Sequence, residues 1–189
     1  MTVNLTQSLR DGADFRRRIE DQSGQTLSEC YQCGKCTAGC PVAFAADAAP
    51  HQVVRMLQLG LRDEALATRT IWLCAACSTC TTRCPRGVDL ARIMDCLRIA
   101  ALRQGKVRAG RQVALFNNVF LESVRKYGRA HELGLAMGLN LKRGTPLKDA
   151  DLGLGMLKRR KLRLAPSRIR STGEIAAIFR RAGEMEDGK

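Results

Sequence analysis

The chain carries one cysteine pattern twice. "CYQCGKCTAGCP", residues 30–41, places Cys30, Cys33, Cys36 and Cys40 ahead of Pro41. "CAACSTCTTRCP", residues 74–85, places Cys74, Cys77, Cys80 and Cys84 ahead of Pro85. Both read C-x2-C-x2-C-x3-C-P. A thiolate is a soft ligand suited to iron–sulfur clusters and to zinc. Cysteines at i, i+3 and i+6 in a tight turn let three sulfurs converge on one cubane. The fourth is carried away from the turn, and the proline after it stops the backbone from continuing a helix. In two-cluster ferredoxins this fourth cysteine ligates the other cluster. Applied here, the rule puts one [4Fe–4S] cluster on Cys30, Cys33, Cys36 and Cys84, and a second on Cys74, Cys77, Cys80 and Cys40. Zinc is the alternative for two CxxC pairs. It does not account for the third cysteine, the Cys-Pro ending or the duplication. Two adjacent clusters with all-cysteine ligation have no vacant iron, which suits passing electrons better than binding a substrate. Backbone N–H groups in the Gly34 and Ala75–Ala76 turns, with Lys35 and Arg83, are expected to favour the reduced state.

The remaining composition sets bounds. A chain of 189 residues fits one domain or two small ones and buries a modest core. Lys and Arg exceed Asp and Glu by 14, which implies an anionic partner, anionic cofactors or a solvated basic surface. The start, "MTVNLTQSLRDGADFRRR", offers no apolar signal region, and no stretch reaches the ~18 apolar residues of a membrane span. A cytoplasmic location is therefore expected. Thiols stay reduced there, and clustered cysteines hold metals or do chemistry rather than form structural disulfides.

Helical signals dominate, and no run of alternating strands stands out. Residues 1–14 read as loosely ordered, and 14–23 as a short helix ending at Gly24. Val53, Met56, Leu57, Gly60 and Leu61 mark a helix with one buried face, with Pro50 in its first turn. Asp89 is placed to cap a helix carrying Leu90, Ile93, Met94, Leu97 and Ala101 and stopping at Gly105. Val113, Phe116, Phe120 and Val124 mark another, and "AHELGLAMGLNL" is a weaker helical signal. Residues 142–170, punctuated by Gly and Pro, read as irregular or short helical pieces. Ser171-x-x-Glu174 is a capping box ahead of Ile175, Ile178, Phe179 and Ala182. The expected class is mainly α. The expected division is a cofactor domain, 1–105, and a helical, basic extension, 106–189.

"CYQCGKCTAGCP", a helical insert and "LCAACSTCTTRCPRGVDL" closely resemble the C subunit of heterodisulfide reductase. "LGLGMLKRRKLRLAPSRI" and the terminal helix are similar to the same family. All eight ligand cysteines match. The resemblance is specific over 26–95 and softer beyond 110. It implies an α-helical two-cluster ferredoxin fold, also seen in the iron–sulfur subunits of succinate dehydrogenase and glycerol-3-phosphate dehydrogenase. It implies a place in a complex, accepting electrons from a flavin-containing A subunit and delivering them to a cysteine-rich B subunit. That B subunit would hold the unusual iron–sulfur site that cleaves or forms a disulfide, leaving no catalytic residue in this chain. In methanogens the substrate is the coenzyme M–coenzyme B heterodisulfide; bacterial relatives act on other thiols or sulfur compounds.

The other notable residues have plainer readings. Cys96, beside an apolar stripe, reads as a packing residue, with a redox-active thiol as the alternative. Trp72 reads as core or as a shield for the second cluster. His51 and His131 read as surface or helix residues, not ligands. "KRRKLR", 158–163, lacks interleaved aromatics and a nucleic-acid-binding motif; with Arg168 and Arg170 it reads as a docking segment for an acidic partner surface. Two rival functions remain. One is the iron–sulfur subunit of another flavin oxidoreductase, of the glycolate, lactate or glycerol-phosphate type. The other is a zinc-stabilised basic module that binds RNA. An independent enzyme has the least support, since no acid–base pair, nucleophile triad or nucleotide loop is present.

Overall fold

The computed structural model describes residues 4–146, 148, 150–159, 161 and 165–187; the side chains of Glu186 and Asp187 lie outside that description. Among the described residues there are helices, turns and loops, with no strand. The chain divides into two compact units, up to Arg111 and from Gln112 onward.

The first unit contains eight helices: α1 (Leu5–Asp11), α2 (Ala13–Ser23), α3 (Lys35–Ala38), α4 (Pro50–Gln58), α5 (Arg62–Ala67), α6 (Thr70–Leu73), α7 (Thr79–Thr82) and α8 (Leu90–Arg103). α8 is the hub, packing against α2, α5, α6 and α7. Its apolar residues recur every three or four positions, so Leu90, Ile93, Met94, Leu97 and Ala101 all fall on the buried face. Burying each of the large ones contributes about 1.5–3 kcal/mol. Asp89 caps this helix, its carboxylate accepting from the Arg92 N–H at 3.1 Å. α4 starts at Pro50, whose missing N–H costs nothing in a first turn. The Gln52 side chain reaches back to accept from the Ala49 N–H at 2.8 Å.

Several sequence expectations need adjustment. Residues 5–11 form a helix with an Asn4 cap, where loose order was expected. The Val53–Leu61 stripe is not continuous: α4 ends at Gln58, Gly60 takes φ +72°, and α5 begins at Arg62. α2 does end at Gly24, in the left-handed conformation that closes a helix.

The second unit is made of α9 (Arg111–Tyr127), α10 (Glu132–Lys142), α11 (Ala150–Lys158) and α12 (Thr172–Asp187). α11 is one short helical piece within the stretch expected to be irregular or made of such pieces. On α9 the buried residues are Ala114 and Val119, whereas Phe116 and Phe120 stack on each other and remain partly exposed. α10 and α11 bury no residue, although Leu and Met fill much of both. Met137 is 64% exposed and Leu141 71%. The α12 stripe is likewise uncovered at Ile178. Arg160, Leu162 and Arg163 of the basic run lie outside the described residues. No described helix is long and apolar enough to cross a membrane.

Candidate iron–sulfur site

The two cysteine runs fold alike. In each, the residue before the second cysteine is left-handed: Gln32 at φ +65° and Ala76 at φ +50°. In each, the residue after that cysteine is left-handed too, Gly34 at +75° and Ser78 at +57°. Gln32, Ala76 and Ser78 are the positive-φ non-glycine residues among those described. Holding a side chain there costs roughly 1–2 kcal/mol apiece. The turns then enter four-residue helices, α3 and α7, which carry Cys36 and Cys80 and pack against each other.

The supports are duplicated as well. Gln58, on the helix after the first run, donates through Nε2 to the carbonyls of Leu27 and Cys30, both at 2.8 Å. Arg98, on the helix after the second run, donates to those of Ile71 at 3.2 Å and Cys74 at 2.8 Å. Each pair of carbonyls belongs to the first cysteine of a run and the residue three before it. Thr37 of the first run meets His51 Nδ1, at the start of α4, at 2.7 Å. Thr81 of the second run donates to Asp89, the cap of α8, at 2.7 Å. Every run is thus fastened to the helix that follows it. None of these partners follows from the cysteine spacing, because each lies on a separate helix. His51, expected to be a surface or helix residue, is half-buried in the first turn of α4 in this role.

Where the repeats face each other they differ. Gly39 and Arg83 occupy the same position in the two runs. A Cβ on Gly39 would sit 2.5 Å from Arg83 Cδ and 2.7 Å from its Nε, so the Arg83 side chain lies directly on the Gly39 backbone. Arg86 and Glu29 form an ion pair that joins the end of the second run to the beginning of the first.

All eight run cysteines are free thiols. Cys40, Cys74, Cys77 and Cys80 line one cavity, otherwise walled mainly by apolar groups such as Val42, Pro50, Leu90 and Met94. Cys30 and Cys36 lie close enough to influence each other electrostatically, and Cys33 and Cys84 both act on Tyr31. The remaining wall around these four is open: Cys33 is exposed and Tyr31 is 60% exposed. Among the described residues no three Cys, His, Asp or Glu side chains converge on one point suited to a single ion. A cubane does not need that, since each of its four cysteines binds a different iron.

The sulfurs are polarised in a repeating way. The Lys35 N–H holds the Cys33 thiol below its usual range against the cost of burial, aided by the Tyr31 hydroxyl and the Lys35 charge. The Thr79 hydroxyl and then its N–H do the same for Cys77. Burial pushes Cys36 and Cys80 up, opposed by Thr37 and Thr81. Only thiolates bind iron, so these donors favour the ligating form. Gln32 Nε2 lies 3.3 Å from Cys30 Sγ, and the Val88 N–H lies 3.3 Å from Cys84 Sγ. Cys96 is 7% exposed on α8, and burial raises its pKa. Trp72 is buried in the first unit.

Soft sulfur donors in this number, on two duplicated loops that wrap inward, suit the cofactor expected from the sequence. The match to known proteins agrees: a family described as "4Fe-4S dicluster domain" covers residues 26–88. The protein is thus of the helical, two-cluster iron–sulfur class, with two [4Fe–4S] clusters as its cofactors, and the zinc reading gives way. Among curated relatives, the iron–sulfur C subunit of CoB–CoM heterodisulfide reductase from Methanopyrus kandleri is 38% identical over 99 residues, 52% of either chain. The C subunit of the ferredoxin:CoB–CoM heterodisulfide reductase of Methanosarcina acetivorans is 30% identical over 188 residues, covering 92% of this chain and 69% of that one. The chain belongs to the family of heterodisulfide reductase C subunits. With the Methanopyrus protein, as with its counterpart in Methanothermobacter marburgensis, the match spans about half the relative's length.

Proposed function

We propose that this chain is the electron relay of a heterodisulfide reductase-like complex, with Cys30, Cys33, Cys36 and Cys84 holding one cluster and Cys74, Cys77, Cys80 and Cys40 the other. The observation that carries the ligand reading is the shared cavity: Cys40, from the first run, lies with the three leading cysteines of the second. The nearness of both Cys33 and Cys84 to Tyr31 supports the reciprocal exchange. Each cluster, when bound, supplies a one-electron store with no open coordination position for substrate. The protein's own task is to hold two such stores close together, shield them with apolar walls and stabilise them with N–H and hydroxyl donors. The partners in this reading are a flavin-containing A subunit that gives electrons and a cysteine-rich B subunit that carries the disulfide chemistry. The names of the relatives, which are C subunits of heterodisulfide reductases, support a place among partner subunits. The helical extension docks the partners, with uncovered apolar faces on α10 and α11 and basic residues such as Arg143, Lys158 and Arg159 beside them.

The test is anaerobic purification with iron and sulfide counts, and EPR of the dithionite-reduced protein. The expected result is near eight iron and eight sulfide per chain, with signals of two interacting centres. Cys84→Ser should perturb the same signal as Cys33→Ser, while Cys40→Ser should perturb the same signal as Cys77→Ser. If Cys84→Ser instead acts on the Cys77 signal, each run holds its own cluster and the exchange is wrong.

A further inference from the structure

The two runs are alike in backbone and unlike in what they offer to sulfur. In the first, the residues between the leading cysteines are Tyr31 and Gln32; in the second they are Ala75 and Ala76. The consequence is visible sulfur by sulfur. Within the set Cys30, Cys33, Cys36 and Cys84, two sulfurs have a hydrogen-bond donor and a third has a hydroxyl beside it. Gln32 Nε2 lies 3.3 Å from Cys30 Sγ, the Val88 N–H lies 3.3 Å from Cys84 Sγ, and the Tyr31 hydroxyl stands beside Cys33. Within the set Cys40, Cys74, Cys77 and Cys80, Cys77 Sγ lies 3.4 Å from the Thr79 hydroxyl. Among the described residues neither Cys40 nor Cys74 has a hydrogen-bond donor on its sulfur.

Charge points the same way. Lys35 stands two residues after Cys33, where the second run has the uncharged Thr79. The Thr37 and Thr81 hydroxyls are both engaged away from sulfur, with His51 Nδ1 and with Asp89, each at 2.7 Å, but only the second partner is a carboxylate. Arg98 brings a cation beside Cys74, but it is ion-paired with Asp95. Arg83 precedes Cys84 and lies on Gly39, which precedes Cys40, so it borders both sets and separates neither. Hydrogen bonds to the sulfurs and positive charge favour the more negative, reduced cluster, while an apolar wall disfavours it.

We propose that the two clusters are unequal: the one on Cys30, Cys33, Cys36 and Cys84 has the higher potential, so an electron arrives through the Cys77 side, comes to rest on the Cys33 side and leaves past Tyr31. This rests on the ligand sets given above. The step moves one electron from a low-potential one-electron donor, a reduced flavin or iron–sulfur centre of a partner, to a one-electron acceptor, and makes or breaks no bond. Cys33 and Cys77 are the two exposed ligands, so each set has one edge from which the electron reaches the surface.

The experiment is a potentiometric titration of the full-length, two-cluster protein, followed by EPR. Two separate one-electron steps are expected. Tyr31→Phe and Gln32→Ala should each shift the upper step downward and leave the lower in place. Ala76→Gln, which puts the missing donor at the matching left-handed position, should shift the lower step upward and narrow the gap. A single unresolved step, or a Gln32→Ala shift confined to the lower step, would overturn the order. The ligand sets are judged separately by which signal Cys84→Ser perturbs, so an error there shows without reference to the potentials.

Discussion

At the scale of single residues, the absence of a side chain is sometimes the structural fact. Gly110 lies against Trp72, and a Cβ there would overlap the indole carbons. Trp72 is 5% exposed, so the ring has little room to move away. Gly110→Ala is expected to cost about 1–3 kcal/mol, the usual range for overpacking a filled core. Trp72 is the only tryptophan, so its fluorescence reports the event directly: the variant should unfold at lower denaturant with a changed native emission. An unchanged midpoint would mean that the contact is slack. The eight cysteines are legible as ligand candidates because ligand spacing is local. Sequence reasoning left Trp72 between two readings and missed Gly110, because the two are far apart along the chain and no short motif encodes their contact. Gly39 and Arg83 show the same limit. Each is visible alone, but their contact emerges only when the two runs are laid face to face.

Among the elements, the repeat extends further than the cysteines. The legible part was the helix starts and stripes: Asp89, Pro50 and Gly24 act as caps or stops because each imposes a local backbone preference. The break at Gly60 and the short helices α6 and α7 were not legible, since four residues give no periodicity to read. α6 shows how such a short piece is held. Asp47 accepts from the N–H groups of Arg69 at 2.7 Å and Thr70 at 3.0 Å, and from the Thr70 hydroxyl at 2.8 Å. Burial opposes ionisation of Asp47, but these donors outweigh it and keep the carboxyl below its usual value. The loop after the first run therefore fixes the start of the helix that leads into Cys74. Asp47→Ala removes these three acceptor contacts, together with the one from the Ala48 N–H, and should destabilise the first unit by roughly 1–3 kcal/mol. Iron release to a chelator should become biphasic, with about half the iron leaving early. Uniform acceleration of all the iron would show that Asp47 supports the unit generally rather than the second run.

The whole molecule divides its labour. The first unit contains both runs and a core built on α8, whereas the second presents helices whose apolar residues stay uncovered. Removing residues from Gly144 onward should leave iron and sulfide per chain unchanged and abolish co-purification with the partner subunits proposed above. Continued assembly would assign docking to the first unit instead. The basic excess of 14 charges belongs to this scale too, since it identifies no site by itself.

α2 and α8 bracket both cysteine runs and pack against each other. During synthesis α2 emerges before either run, but the surface that covers Phe15 and Ile19 is completed only when residues 90–103 have been translated. On the ribosome, the half-made domain therefore carries thiols without a closed shell around them. The machinery that delivers iron and sulfide has a finished receptacle only after the nascent chain has passed Arg103.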